Sequence, residues 1–238
     1  MWADTPLSQL ILVGTVHDDP EGFQRARRLL LTHRPDLLFV ELSPYGWFFR
    51  KRHQGEMCRL LSRNLKAAAS RLTIPLREVF RHSSVRAIRG QIALPYEYRA
   101  ARRIMDMTRV VLTDYSPFSR KWIETWPELI STDNLVALLS QPDDRPSASY
   151  RQAAHLIERG TCAIAHEIRI VQGENRLLWE RREEHMARKI LALLRARRPI
   201  RPLFLGGWWH LTRGEWFMTL RDRLNIGPER CRLLDGFA

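Results

Sequence analysis

Three short apolar runs constrain this chain more than any other feature. Leu10–Val16 (LILVGTV), Asp36–Leu42 (DLLFVEL) and Arg201–Gly207 (RPLFLGG) are each almost continuously hydrophobic. A strand with one wet face alternates apolar and polar residues, so a run without alternation is covered on both faces. Such strands belong to parallel sheets sandwiched between helices. The segment from Glu21 to His33 reads as a helix, with Asp19 as its cap and Pro20 at its first position. The opening is therefore a strand–helix–strand unit with parallel strands.

The middle of the chain reads as mainly helical. A basic helix spans about Pro44 to Leu72, and a short segment follows from Ile74 to Phe80. Pro95 starts a helix that runs to about Arg109, and Val110–Asp114 (VVLTD) is β-rich. Trp126–Leu139 and Ser149–Arg159 read as helices on either side of the turn-like Gln141–Ser147 (QPDDRPS). A long helix covers about Asn175 to Arg198, another covers about Thr212 to Leu224, and Cys231–Leu234 is a closing strand. The expected fold is α/β: a central mixed, mostly parallel sheet flanked by helices, with a helical middle region. With 238 residues and 45% hydrophobic content, one substantial core suffices. Residues 1–238 are read as one domain, with room for a helical insertion around 119–175.

Composition removes several classes. No apolar run approaches the roughly 18–20 residues of a membrane helix, and the N-terminus lacks a basic leader, so the cytoplasm is the expected location. Cys58, Cys162 and Cys231 are widely spaced with no CxxC pair, which argues against disulfides or a thiolate metal site. The net charge is +13, nearly all from arginine, with lysine only at positions 51, 66, 121 and 189. That charge is spread along the chain, with no RNP, KH or zinc-finger pattern. Solvation explains it more simply than a nucleic-acid partner.

Two motifs then stand out, Gly14-Thr15-Val16-His17 and Gly207-Trp208-Trp209-His210. GxxH is short enough to arise by chance, but each copy follows a buried strand. In open parallel sheets, ligands bind beyond the carboxyl ends of the strands. Glu41 ends the second strand and is expected beside His17. Two imidazoles and one carboxylate suit a divalent ion. Glu183 lies on the apolar stripe of the long helix with Trp179, Met186, Ile190 and Leu193, where an unpaired carboxylate is costly; Arg182 adjoins it. Glu97 sits in the first turn of its helix, where the dipole alone would favour a carboxylate. Asp114 ends the VVLTD run. No GxSxG, Walker loop, GxGxxG or HExxH is present.

Taken together, ILVGTVHDDPEG, RPDLLFVEL, LPYEYRAARRIMDMTRVVLTD, ERREEHMARKI and RPLFLGGWWHLTRG resemble the TraB/PrgY/GumN family, which includes the Tiki proteins and is related to the erythromycin-esterase and ChaN-like fold. The resemblance spans nearly the whole chain. It implies a site of Gly14, His17, Glu41, Glu97, Arg182, Glu183, Gly207 and His210. Glu183 departs from the pattern, since the family usually carries Asp or Asn there. Tiki proteins are described as Mn- or Co-dependent proteases, TraB/PrgY-like proteins limit peptide-pheromone activity, and related folds hydrolyse esters or bind haem.

The first expectation is a metal-dependent, peptidase-like hydrolase acting on a peptide or small molecule. His17, Glu41 and His210 would hold Mn, Co or Zn, and Glu97 or Glu183 would take a proton from the bound water. Arg182 would orient that carboxylate or stabilise the oxyanion, while Gly14, Gly207 and Trp208 would shape the substrate pocket. A metal-free variant, with one histidine as general base, needs the same residues. Two alternatives are a non-catalytic protein capturing a peptide, haem or another anion in this pocket, and charge-driven nucleic-acid binding.

Overall fold

The structure is a computed structural model that describes residues 6–17, 19–143, 146–159, 174–214 and 218–237. Cys162 and the 160–173 part of the expected insertion lie outside the described residues. The apolar runs form the strands β1 (Ile11–Thr15), β2 (Leu37–Val40) and β4 (Pro202–Gly207). β3 (Arg109–Leu112) and β5 (Cys231–Leu233) complete a sheet of order β3-β2-β4-β1-β5, in which every described pairing is parallel. β2 and β4 are buried at every position, as their unbroken hydrophobicity requires.

One expectation needs correction. β2 does not neighbour β1, because β4 lies between them, with Thr15 opposite Gly207 and Val40 opposite Leu205. The apolar runs carry their burial in their composition but not their spatial order, and the most distant run in sequence takes the centre.

Alternate side chains of each strand feed two cores. Val13, Leu38, Val40, Leu203 and Leu205 face the helices α1 (Gly22–His33), α5 (Tyr96–Ala101) and α9 (Pro146–Arg159). Leu12, Leu37, Phe39 and Phe204 face α10 (Glu174–Arg197) and α11 (Leu220–Leu224). The chain thus leaves β1 toward one face and β4 toward the other. The carboxyl ends of these neighbours open the crevice where parallel sheets place ligands.

A third core lies away from the sheet, among α2 (Pro44–Leu72), α3 (Leu76–Arg81), α4 (Ser83–Ile92), α6 (Ser116–Glu124), α7 (Trp126–Leu129) and α8 (Thr132–Leu139). This helical layer begins well before residue 119, where the insertion was expected. α2 keeps its expected bounds because Pro44 sits at its start, the Ser43 hydroxyl accepts from the Gly46 N–H at 2.8 Å, and Thr73 ends it in the left-handed region. Other helices are shorter than their patterns suggest. The helix after Pro95 ends by Ile104, where the Thr108 hydroxyl donates to the Pro35 carbonyl at 2.7 Å and draws the chain toward the sheet. Trp126–Leu139 splits at Ser131, which caps a new helix. Between Thr212 and Leu224 only α11 is helical among the described residues, started by the reciprocal capping of Thr219 and Asp222. No helix of the described residues is long and apolar enough to cross a membrane.

Candidate functional site

His17 lies just past β1, Glu41 just past β2 and His210 in the short 3-10 helix that follows β4. They meet because β4 sits centrally and brings all three strand ends together. The Glu41 carboxylate is the hub. It accepts from the Gly207 N–H and from Nη2 of Arg182, both at very short range, and lies 3.0 Å from His210 Nε2. His17 Nε2 is 3.7 Å from its outer oxygen.

Two further layers hold this hub. Nε of Arg182 donates to Asp114 at 2.6 Å, and Asp114 is itself fixed by the Tyr115 N–H and the Ser119 hydroxyl. Behind His210, Glu183 lies 2.7 Å from Nδ1 and also accepts from the Leu220 N–H at 2.7 Å. Glu183 thus ties the long helix to the start of α11. On the opposite side, Glu97 accepts from the Thr15 hydroxyl at 2.6 Å and contacts His17 Nδ1 at 3.0 Å. Its other oxygen is buried without a partner. Glu97 is therefore more than a dipole-favoured first-turn acid.

Accessibility separates these residues. The side chains of Glu41, Glu97, Asp114, Arg182, Glu183 and His210 are all buried, whereas that of His17 is 56% accessible. His17 opens onto a cavity of about 450 Å³ between the strand ends and the helical layer. Glu41, Glu97, Asp114 and Arg182 also border it, with Phe118 and Trp179 across from them. The Arg182 guanidinium lies 4.3 Å from the Phe118 ring centroid and 4.9 Å from that of Trp179. Of the two carboxylates expected to take a water proton, Glu97 borders the cavity beside His17, whereas Glu183 and His210 are not among the lining residues and Glu183 lies behind His210.

The electrostatics follow from this arrangement. Burial disfavours the His210 imidazolium, but Glu183 and Glu41 outweigh it and raise the group to about 10. Burial opposes ionisation of Glu41 as well, yet His210 and Arg182 hold its carboxyl well below the usual range. For His17, desolvation pulls down while Glu97 and Glu41 pull up harder, to about 9. Water in the open cavity screens part of that attraction.

The glycines have steric roles. A Cβ at Gly207 would lie 3.0 Å from His17 Nε2 and 3.1 Å from Glu41 Oε2. One at Gly206 would lie 2.7 Å from both Glu41 Cβ and Phe204 Cζ. Gly206→Ala is therefore expected to cost about 1–3 kcal/mol through forced displacement of the hub, read as a lower urea midpoint with an unchanged slope. A Cβ at Gly14 would lie 2.9 Å from the Trp208 Cα, and Trp208 stacks on Trp209 at 4.7 Å in the core cluster that includes α1. Neither borders the cavity among the described residues, so both pack the strand ends.

A divalent ion was the expected occupant of His17, Glu41 and His210. As arranged, these donors do not fit one. Both His210 nitrogens already face carboxylates, both Glu41 oxygens accept hydrogen bonds, and Arg182 sets a full positive charge against Glu41. Among the described residues, no three His, Cys, Asp or Glu side chains converge on a common ion position.

Sequence reasoning passed over Thr15, Gly206 and Arg50, and left Asp114 as a strand-end acid that either points toward the site or caps the next helix. The doublet Gly206-Gly207 at the end of a buried strand was the available signal for a close approach. Comparison of the chain with protein-family models, curated proteins and solved structures finds no match.

Proposed function

We propose that this protein is a metal-independent hydrolase of ester or amide bonds in which His17 is the general base. The carrying observation is that His17, of the network's described members, exposes most of its side chain to the cavity, while buried Glu41 and Glu97 hold its ring from behind. The order of the sequence blocks resembling the TraB/PrgY/GumN family supports a hydrolytic reading. A metal-dependent reading would require His210 and Arg182 to give up Glu41.

In the proposed reaction, Glu97 accepts the Nδ1 proton of His17 as a hydrogen bond and fixes that tautomer, leaving the Nε2 lone pair toward the cavity. Nε2 takes a proton from a water as its oxygen bonds to the substrate carbonyl carbon. Nη1 of Arg182, which takes no part in the bonds to Glu41 and Asp114, faces the developing oxyanion. His17 then returns the proton to the departing alcohol or amine as the carbonyl–heteroatom bond breaks.

The pH profile tests this. A base must be neutral, and His17 is raised above its ordinary range, so kcat/KM is expected to climb through an alkaline limb. Glu97→Gln removes the largest upward influence, and the limb is expected to move toward the ordinary histidine range near 6.5. A panel of p-nitrophenyl esters and chromogenic peptide amides supplies the assay. No turnover of any member by wild type, or a limb unmoved by Glu97→Gln, would count against the proposal.

A further inference from the structure

The cavity that holds His17 has a second chemical character on its helical wall. Arg50 of α2, Arg86 of α4 and Arg99 of α5 line it together with four carboxylates. Each of those carboxylates already has a cationic or protonatable partner. Asp19 pairs with Arg25 at 2.9 Å, Glu97 contacts His17, and Glu41 and Asp114 share Arg182. The three arginines differ. Among the described residues none of the three has a carboxylate within ion-pair reach; Arg86 acts on the exposed Asp143 only from longer range.

Arg50 is the most informative of them. Its Nε donates to the Gln91 carbonyl at 2.8 Å and its Nη1 to the Gly46 carbonyl at 3.2 Å. The guanidinium also lies 5.0 Å from the Trp126 ring centroid. Neutral carbonyls and an aromatic face orient this cation without neutralising it. Burial lowers its proton affinity, to a pKa of about 10, with only Asp114 opposing. A partly desolvated guanidinium without a counter-ion costs free energy that a bound anion would recover. Arg99 is similarly held 5.5 Å from the Phe23 ring centroid.

We propose that the ligand of this cavity carries an anionic group, a carboxylate or a phosphate, which Arg50 and Arg86 bind on the wall supplied by the helical layer. The inference deepens the hydrolase reading by naming the substrate class, and its turnover arm rests on that reading while its binding arm does not. A cavity of about 450 Å³ suits a small molecule or the end of a peptide. Guanidinium forks recognise both carboxylate and phosphate, so the shared chemistry is fixed before the source.

The test pairs two esters that differ only in charge, 4-acetoxybenzoate and 4-acetoxybenzamide, with calorimetric binding of benzoate and of inorganic phosphate. Wild type is expected to favour the anionic ester by roughly tenfold or more in kcat/KM. Arg86→Gln changes only an exposed side chain and is expected to bring that ratio close to one and to weaken anion binding by a similar factor. Arg50→Gln is expected to do the same, with Arg50→Lys recovering part of the effect. The better-bound anion identifies the source. If neither ester is turned over but anion binding is lost in the arginine variants, the anion site stands and the hydrolase reading fails. If both esters are turned over equally and neither anion binds, the hydrolase reading stands and this inference is overturned. Anion binding unchanged in both Gln variants also overturns it.

Discussion

His17→Ala is expected to lower kcat for ester hydrolysis by roughly 10²–10⁴-fold while leaving KM within a few-fold of wild type. The magnitude is that of a positioned general base, and the split follows because the ring is assigned to proton transfer and not to substrate binding. Stability should change little, since the side chain is more than half accessible and Glu97 keeps its bond from Thr15 at 2.6 Å. That separates His17 from its neighbours, whose loss would perturb the fold. Steady-state kinetics and urea unfolding on the same preparation check both halves. A variant with near-normal kcat would remove His17 from the chemistry.

Arg182→Leu is expected to be the most damaging single change in the network. Arg182 pairs with both Glu41 and Asp114, and all three side chains are buried. Removing the cation leaves two carboxylates in a poorly solvated site, which typically costs about 3–5 kcal/mol. The sign of the pH dependence is informative. In wild type, His210 and Arg182 depress Glu41, so that pairing contributes stability above the usual carboxylate range and loses it as pH falls. Without Arg182 the carboxylates are stabilised by protonation, so the deficit should be largest near pH 8 and shrink as pH falls toward 4. Urea unfolding across that range measures it. A uniform deficit at all pH values would mean that lost packing against Phe118 and Trp179 dominates.

The sequence carried the sheet because its strands are buried on both faces, and such strands reveal themselves as unbroken apolar runs. It also pointed to His17, Glu41 and His210, since the polar residues that follow a buried run gather beyond the carboxyl ends of the strands. Glu183 was visible as a charge on an apolar stripe, and its partners His210 and Leu220 explain why it is tolerated there. Strand order was not legible, because burial determines which runs enter the sheet and crossover packing determines where. Asp19 was read as a helix cap; besides accepting from the Glu21 N–H at the start of that helix, it also binds Arg25 and the Tyr150 hydroxyl. Its hydroxyl partner comes from a helix more than a hundred residues away. Trp208 and Trp209 were read as pocket walls, with a core role equally open for one of them, and the 3-10 turn after β4 places Trp208 in the core cluster that includes α1. Arg50 was one arginine among many in a basic helix, and only the fold distinguishes a cation facing a cavity from one facing solvent.

The most direct test of a metal-free, histidine-based site is turnover by protein stripped of metal, with metal content measured on the sample assayed. The account predicts full kcat at well below one equivalent of any divalent ion, indifference to added Mn, Co or Zn, and loss of activity in His17→Ala. Activity that vanishes on stripping and returns with one equivalent of metal would contradict it.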